Sequence, residues 1–236
     1  HIGDMENLET ETFWEQVRAH YSEMFQIAPQ IIATDMHPDY ATTRLGRGLR
    51  GRQVAVQHHH AHLAACLADN GVAAPAIGVI LDGTGYGLDG RIWGGEFLVG
   101  DGRGFVRAAH LQYLPLPGGE AAIHRPSRIA WAYLRTLLPE RADEIALDLS
   151  SEERETLDGM VARHVATPWT CSAGRLFDAV SALLGVCREV TYEAQAAIEL
   201  EAAARRAVAP WAKGKSTPYP FDLVAERAPQ TWGRPP

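Results

Sequence analysis

Along the chain the apolar positions change period several times, and each change marks an element. Phe13, Trp14, Val17, Tyr21, Met24 and Phe25 recur at helical spacing over residues 9 to 25, with Thr10 as a start signal and Pro29 as a stop. Ile31-Ile32-Ala33 is too short for a helix and reads as a buried strand. It delivers the polar residues Thr34 to Tyr40 at its C-terminal edge, where α/β sheets place their ligands. Asp35 and His37 are candidates there, although polar residues beside a proline more often form a turn. Arg44 to Arg52 holds four arginines and three glycines with no apolar period, and reads as a flexible basic loop. Val54-Ala55-Val56 is a second short strand. From His58 an alanine-rich helix follows and stops near Asn70-Gly71.

The pattern starts afresh at Ala76, with the strongest strand in the chain over Ala76 to Leu81. Asp82 to Gly90 reads as a turn with four glycines, and Arg91 to Val99 and Phe105 to Leu111 answer as two further strands. Together they predict an antiparallel meander. Leu114 to Ala122 reads as a rigid loop, Ile129 to Leu138 as a helix stopped by Pro139, and Glu140 to Val165 as charged, peripheral helix. Thr170 to Leu184 is a serine-capped helix, and Tyr192 to Ala207 a helix with charged pairs at i, i+4. From Pro210 proline and polar residues dominate, and no further strand-helix unit is expected.

Composition narrows the class. At 236 residues, with 46% hydrophobic and 22% charged residues, the chain has the make-up of a globular protein able to bury a substantial core. The formal net charge of -7 argues against a broad basic surface for nucleic acid. Cys66, Cys171 and Cys187 form no CxxC pair, which fits a reducing cytoplasm rather than a disulfide framework. No apolar run reaches the ~20 residues of a membrane span. The chain opens on His1 rather than Met, which suggests an excised or processed fragment.

The chemistry concentrates in Gln57-His58-His59-His60-Ala61-His62 and in Asp82-Gly83-Thr84-Gly85-Tyr86-Gly87. On a helix His58 and His62 lie one turn apart on one face, a spacing at which two imidazoles bind one metal ion. Asp82, at the end of an apolar run, supplies a carboxylate. Two imidazoles and one carboxylate suit zinc and iron equally. His59 or His60 is placed to contact phosphate or a reacting carbonyl. Gly83, Gly85 and Gly87, with the Thr84 hydroxyl, let backbone N–H groups approach phosphate oxygens, though a tight hairpin alone explains them equally well. Ser172, Gly174 and Asp178 open a helix where an anion or a ribose can bind, and a plain serine cap accounts for them too. Cys66 reads as a core residue rather than a nucleophile.

The motifs HHHAH, LDGTGYGLDG with WGGEF, YLPLPGG, SAGRLFDAVSALLG and YEAQAAIELE, with HIGDMENLET and DMHPDY ahead of them, together resemble the C-terminal carbamoyltransferase domain of HypF hydrogenase maturation proteins. That family is related to the tRNA threonylcarbamoyladenosine synthesis proteins. The resemblance implies an α/β, duplicated actin/sugar-kinase-like two-lobe fold, truncated at both ends. Residues 1–74 would be the C-terminal part of the first lobe and 75–236 an incomplete second lobe.

It also implies transfer of a carbamoyl group from carbamoyl-adenylate, made by a separate domain from carbamoyl phosphate and ATP, to the C-terminal cysteine of a HypE-like acceptor. The thiocarboxamide formed becomes the cyanide ligand of nickel-iron hydrogenase. By motif match His58, His62 and Asp82 bind a divalent metal, Gly83 to Gly87 contact phosphate, and Gly174 and Asp178 hold the ribose; magnesium can accompany the nucleotide. No protein nucleophile is needed. Ala194 and Glu120 depart from the family's glycine and aspartate. The chain alone is expected to bind metal weakly and not to complete the reaction. Two other readings are an O-carbamoyltransferase acting on a small-molecule hydroxyl and a non-catalytic metal-binding docking lobe. A zinc hydrolase is disfavoured because no glutamate follows the first histidine to act as base.

Overall fold

The computed structural model describes residues 3, 5, 7–207, 220–225 and 230–233. The chain forms two compact units, residues 1–61 and 62–236.

The first unit begins with helix α1 (Leu8–Met24). Its start signal is Asn7 rather than Thr10: the Asn7 side chain accepts from the Glu9 N–H, and Glu9 and Glu11 complement the positive helix end. Strand β1 (Ile31–Asp35) pairs in parallel with β2 (Arg52–Val56), and helix α2 (Ala41–Arg47) makes the crossover. The strand at Ile31 is not buried as expected, since Ile31 is 52% exposed. The basic loop expected from Arg44 is also corrected, because its first half is the end of α2. Gly46 serves the packing of that helix: a Cβ there would stand 2.3 Å from Thr34 Cγ2, so a glycine lets α2 approach β1 closely.

Helix α3 (His58–Asp69) contains the boundary between the units. In the second unit its Leu63 and Leu67 are buried, and a Cβ at Gly78 would stand 2.9 Å from Leu63 Cδ1. The expected meander is present as β3 (Ala76–Tyr86), β4 (Ile92–Asp101) and β5 (Gly104–His110). The turn is shorter than expected, however. β3 runs on to Tyr86, and the chain reverses only at Gly87–Gly90, where the Gly90 N–H donates to the Gly87 carbonyl.

β6 (Leu114–Pro115), α4 (Glu120–Ile123), α5 (Pro126–Leu137), a 3₁₀ turn (Pro139–Glu144) and α6 (Ser151–Arg163) follow. The stretch expected as one charged helix is thus a turn and a helix, separated by the Ile145–Ser150 linker. β7 (Trp169–Thr170), α7 (Ala173–Leu183), α8 (Gln195–Ala207) and β8 (Gln230–Gly233) complete the unit. The sheet runs β6-β7-β4-β5-β8, with β3 on β4. β8 pairs with β5 in the stretch where no further strand-helix unit was expected. Much of the proline-rich segment from Pro210 lies outside the described residues.

Two buried clusters hold this unit. One joins Ile129, Trp131 and Leu134 of α5 to Leu116, Leu157 and Ala182. The other packs Leu63, Leu67, Trp93, Leu98 and Phe105 around Cys171, beneath the loops that carry the candidate chemistry. Among the described residues no helix is long and apolar enough to cross a membrane.

Candidate functional site

The histidine helix starts where β2 ends. Gln57 is fully buried and caps α3: its Oε1 accepts from the His60 N–H at 2.8 Å, and its Nε2 donates to His59 Nδ1 at 3.2 Å. His59 and His60 are both buried, His59 at 0% exposure and His60 at 5%. His58 Nδ1 donates to Asp35 Oδ2 at 2.7 Å, while Asp35 Oδ1 accepts from the His37 N–H at 2.8 Å. Burial raises the Asp35 pKa, but these two hydrogen bonds outweigh it and hold the carboxyl below its ordinary range. A carboxylate on one imidazole nitrogen fixes the ring and directs the other nitrogen outward, as in metal-ligating histidines. Asp35, which sequence reasoning placed in a turn, thus belongs beside the first histidine.

His62 follows His58 by one turn of α3. Within the second unit its Nε2 lies 3.5 Å from Asp82 Oδ2, and both side chains are partly open to solvent. Asp82 Oδ1 accepts from the Gly83 N–H at 2.7 Å. The pair stands at one end of a groove of about 410 Å³ walled by Leu63, Leu67 and the β3 residues Ala76 to Leu81. Cys66 lines the same groove and is exposed, which corrects its reading as a core residue: it shares the i, i+4 stripe of His62, while Leu63 and Leu67 take the buried face.

The glycine run does not lie in one turn. Gly85 is paired with Trp93 in the sheet, and a Cβ at Gly87 would stand 2.2 Å from Trp93 Nε1, so packing alone requires that glycine. Asp82, Gly83 and Thr84 bulge out between the pairs Leu81–Gly95 and Gly85–Trp93. The start of α7 grips this bulge. Ser172 caps α7 by accepting from the Arg175 N–H, and its hydroxyl stands 2.8 Å from the Asp82 carbonyl oxygen and 2.6 Å from that of Gly83. Arg175 Nη1 donates to the Gly83 carbonyl at 3.2 Å, and its Nε to Asp178 Oδ2 at 2.6 Å. A Cβ at Gly174 would come within 2.8 Å of Gly83 Cα. Burial pushes the Asp178 carboxyl up, with the Arg175 guanidinium opposing. Ser172 and Gly174 therefore lie against Gly83, and Arg175, the residue the motif reading passed over, links Asp178 to it.

Sequence reasoning also missed a buried polar network under the bulge. Glu96, fully buried on β4, accepts from Arg107 Nε at 2.6 Å and from the N–H groups of Gly94 and Gly95 at 3.0 and 3.2 Å. Cys171 Sγ donates to Glu96 Oε1 at 3.0 Å. The Arg107 guanidinium lies 3.8 Å from the centre of the Trp93 ring. Burial, then the Glu96 charge, push the Cys171 thiol up to about 12, so it is no nucleophile. The available signal was a glutamate inside an apolar strand with an arginine on the next.

Residues 78–232 match the family described as the second subdomain of the carbamoyltransferase Kae1-like domain, and residues 1–69 match the HypF Kae1-like domain. The carbamoyltransferase HypF2 of Cupriavidus necator is 42% identical over 206 residues, 85% of this chain and 25% of that protein. The carbamoyltransferase HypF of Rhodobacter capsulatus is 41% identical over 86% of this chain and 28% of its own length. The crystal structure of full-length HypF in the phosphate- and nucleotide-bound form superposes with a TM-score of 0.82 at 40% identity, over 85% of this chain and 32% of that one. The chain thus spans about a quarter of the length of the curated relatives it matches.

Proposed function

Since this chain belongs to the HypF family of Kae1-like carbamoyltransferase domains, we propose that it carries the carbamoyl-transfer site of a hydrogenase maturation protein. Residues 1–74 and 75–236 would then be parts of the two lobes of that domain. The donor is carbamoyl-adenylate, and the acceptor is the C-terminal cysteine of a HypE-like protein in a reducing cytoplasm. The observation that carries the reading is the approach of His62 Nε2 to Asp82 Oδ2 beside the gripped Gly83 bulge.

His58, His62 and Asp82 would hold a divalent metal, zinc or iron. The donor set fits: two imidazoles from successive turns of α3, one with a carboxylate behind its second nitrogen, and a carboxylate from β3. When bound, such an ion neutralises phosphate charge and polarises the carbamoyl carbonyl. Asp35 orients His58. Ser172 and Arg175 hold Gly83, so that the bulge with Thr84 lies against the adenylate phosphate, and Gly174 with Asp178 serves the ribose side. Gln57 stiffens the first turn through the His59 ring and the His60 N–H, and His60, the less deeply buried of the two, would face the reacting carbamoyl group. Cys171 stays protonated, so the attacking thiolate comes from the acceptor.

The test is Co²⁺ titration of the intact protein, followed by carbamoyl transfer from carbamoyl phosphate and ATP to HypE. His62→Ala and Asp82→Asn are expected to weaken Co²⁺ binding at least ~10-fold and to abolish transfer. Full transfer by either variant refutes the reading, and labelling of a small-molecule hydroxyl rather than HypE would reassign the acceptor.

A further inference from the structure

The bulge that presents Asp82 has a cause on the neighbouring strand. Between the pairs Leu81–Gly95 and Gly85–Trp93, β3 contributes three residues and β4 only Gly94. Gly94 adopts φ 155°, and a Cβ there would stand 2.5 Å from the Asp82 carbonyl oxygen; one on Gly95 would stand 2.4 Å from the Cys171 carbonyl oxygen. The two glycines are thus wedged between the bulge and the entry to α7. Both N–H groups are turned to one acceptor, Glu96 Oε1. Glu96 is in turn fixed through Oε2 by Arg107, whose other nitrogens donate to Tyr113 Oη at 3.1 Å and contact Cys171 Sγ at 3.3 Å. Tyr113 donates to Asp89 at 2.6 Å, and Trp93 Nε1 donates to the same carboxylate at 2.9 Å. Every polar atom of this chain of contacts has its partner, so it resists rearrangement.

We propose that Glu96, held by Arg107, is a positioning residue that fixes the Asp82–Thr84 bulge and so aims the Asp82 carboxylate at the candidate metal site. This rests on the metal reading above. The alternative is that the ion pair only stabilises the core, and the two roles separate by substitution. Glu96→Gln breaks the charge pair but keeps an oxygen for the Gly94 and Gly95 N–H groups. The double variant Glu96→Leu with Arg107→Met leaves no lone buried charge, yet removes that oxygen.

In the intact protein, Glu96→Gln is expected to lower Tm while keeping Co²⁺ affinity within about threefold of wild type. The double variant should keep Tm near wild type, yet bind Co²⁺ at least ~10-fold more weakly, the scale of losing an outer-shell partner. Its Gly83, Thr84 and Gly85 amides should exchange with deuterium at least ~10-fold faster, with no change in α5. A folded double variant with wild-type Co²⁺ affinity and wild-type exchange at Gly83–Gly85 overturns the proposal. If the double variant does not fold, Glu96→Asp, one methylene shorter, decides: faster exchange at Gly83–Gly85 supports the role and unchanged exchange refutes it. Should wild type bind no Co²⁺, the metal reading fails, and the exchange result still judges whether Glu96 positions the bulge.

Discussion

Asp82 and Glu96 are carboxylates on neighbouring strands with opposite surroundings. Asp82 lies partly open to solvent on a bulge, with an imidazole 3.5 Å away. Glu96 is sealed in the sheet and accepts from a guanidinium, two backbone N–H groups and a thiol. A carboxylate meant to take up an ion needs lone pairs within reach of solvent, whereas one meant to hold a backbone needs all of them satisfied. On the proposed reading, this difference separates the group that would take up the ion from the group that would keep it in place.

The largest effect expected is from Arg107→Ala. It leaves the Glu96 charge buried without its cation, and should cost about 3–5 kcal/mol in urea unfolding. A loss below about 1 kcal/mol would show that Glu96 is far less dependent on its partner than the geometry demands.

Next comes the thiol between the two carboxylate regions. A Cys171 pKa near 12, against 9.0 for the free group, makes its thiolate about a thousandfold scarcer at pH 8. Iodoacetamide should label the exposed Cys66 and leave Cys171 untouched in the folded protein. Because the folded pKa is the higher one, the stability from keeping this thiol protonated is whole below about pH 9. It is lost as pH rises from about 9 to about 12. Rapid labelling of Cys171 at pH 8 would contradict the packing.

Ser172→Ala should cost about 1–2 kcal/mol, since it removes the α7 cap and a hydrogen bond to the bulge together. The smallest effect on stability is expected from Asp82→Asn. Its pair with His62 is solvent-exposed, so unfolding should move by less than about 1 kcal/mol although metal binding fails. If Asp82→Asn destabilised as strongly as Arg107→Ala, the two carboxylates would not differ in role.

Much of this was legible in the sequence, and the rest was hidden for identifiable reasons. α3 could be read because β2 ends just before four histidines in five residues, and the meander because three apolar runs alternate with glycine turns. The α7 cap could be read from Ser172 alone. α2 was hidden because arginines and glycines mask a buried face of Ala41, Thr43 and Gly46 whose logic is close approach to Thr34. The Glu96–Arg107 pair was hidden because a register shift between Phe97 and Leu98 sets Glu96 opposite His110, which no count along the chain predicts. Asp35 looked like a turn residue because its partner, His58, lies 23 positions away.

The central claim is that His58, His62 and Asp82 hold a metal ion, and anomalous diffraction from crystals of the intact protein grown with zinc tests it most directly. The account predicts one strong peak about 2.0–2.2 Å from His62 Nε2 and from an Asp82 carboxylate oxygen, lost in Asp82→Asn. A peak bound elsewhere, or one at His62 that survives Asp82→Asn, would contradict it.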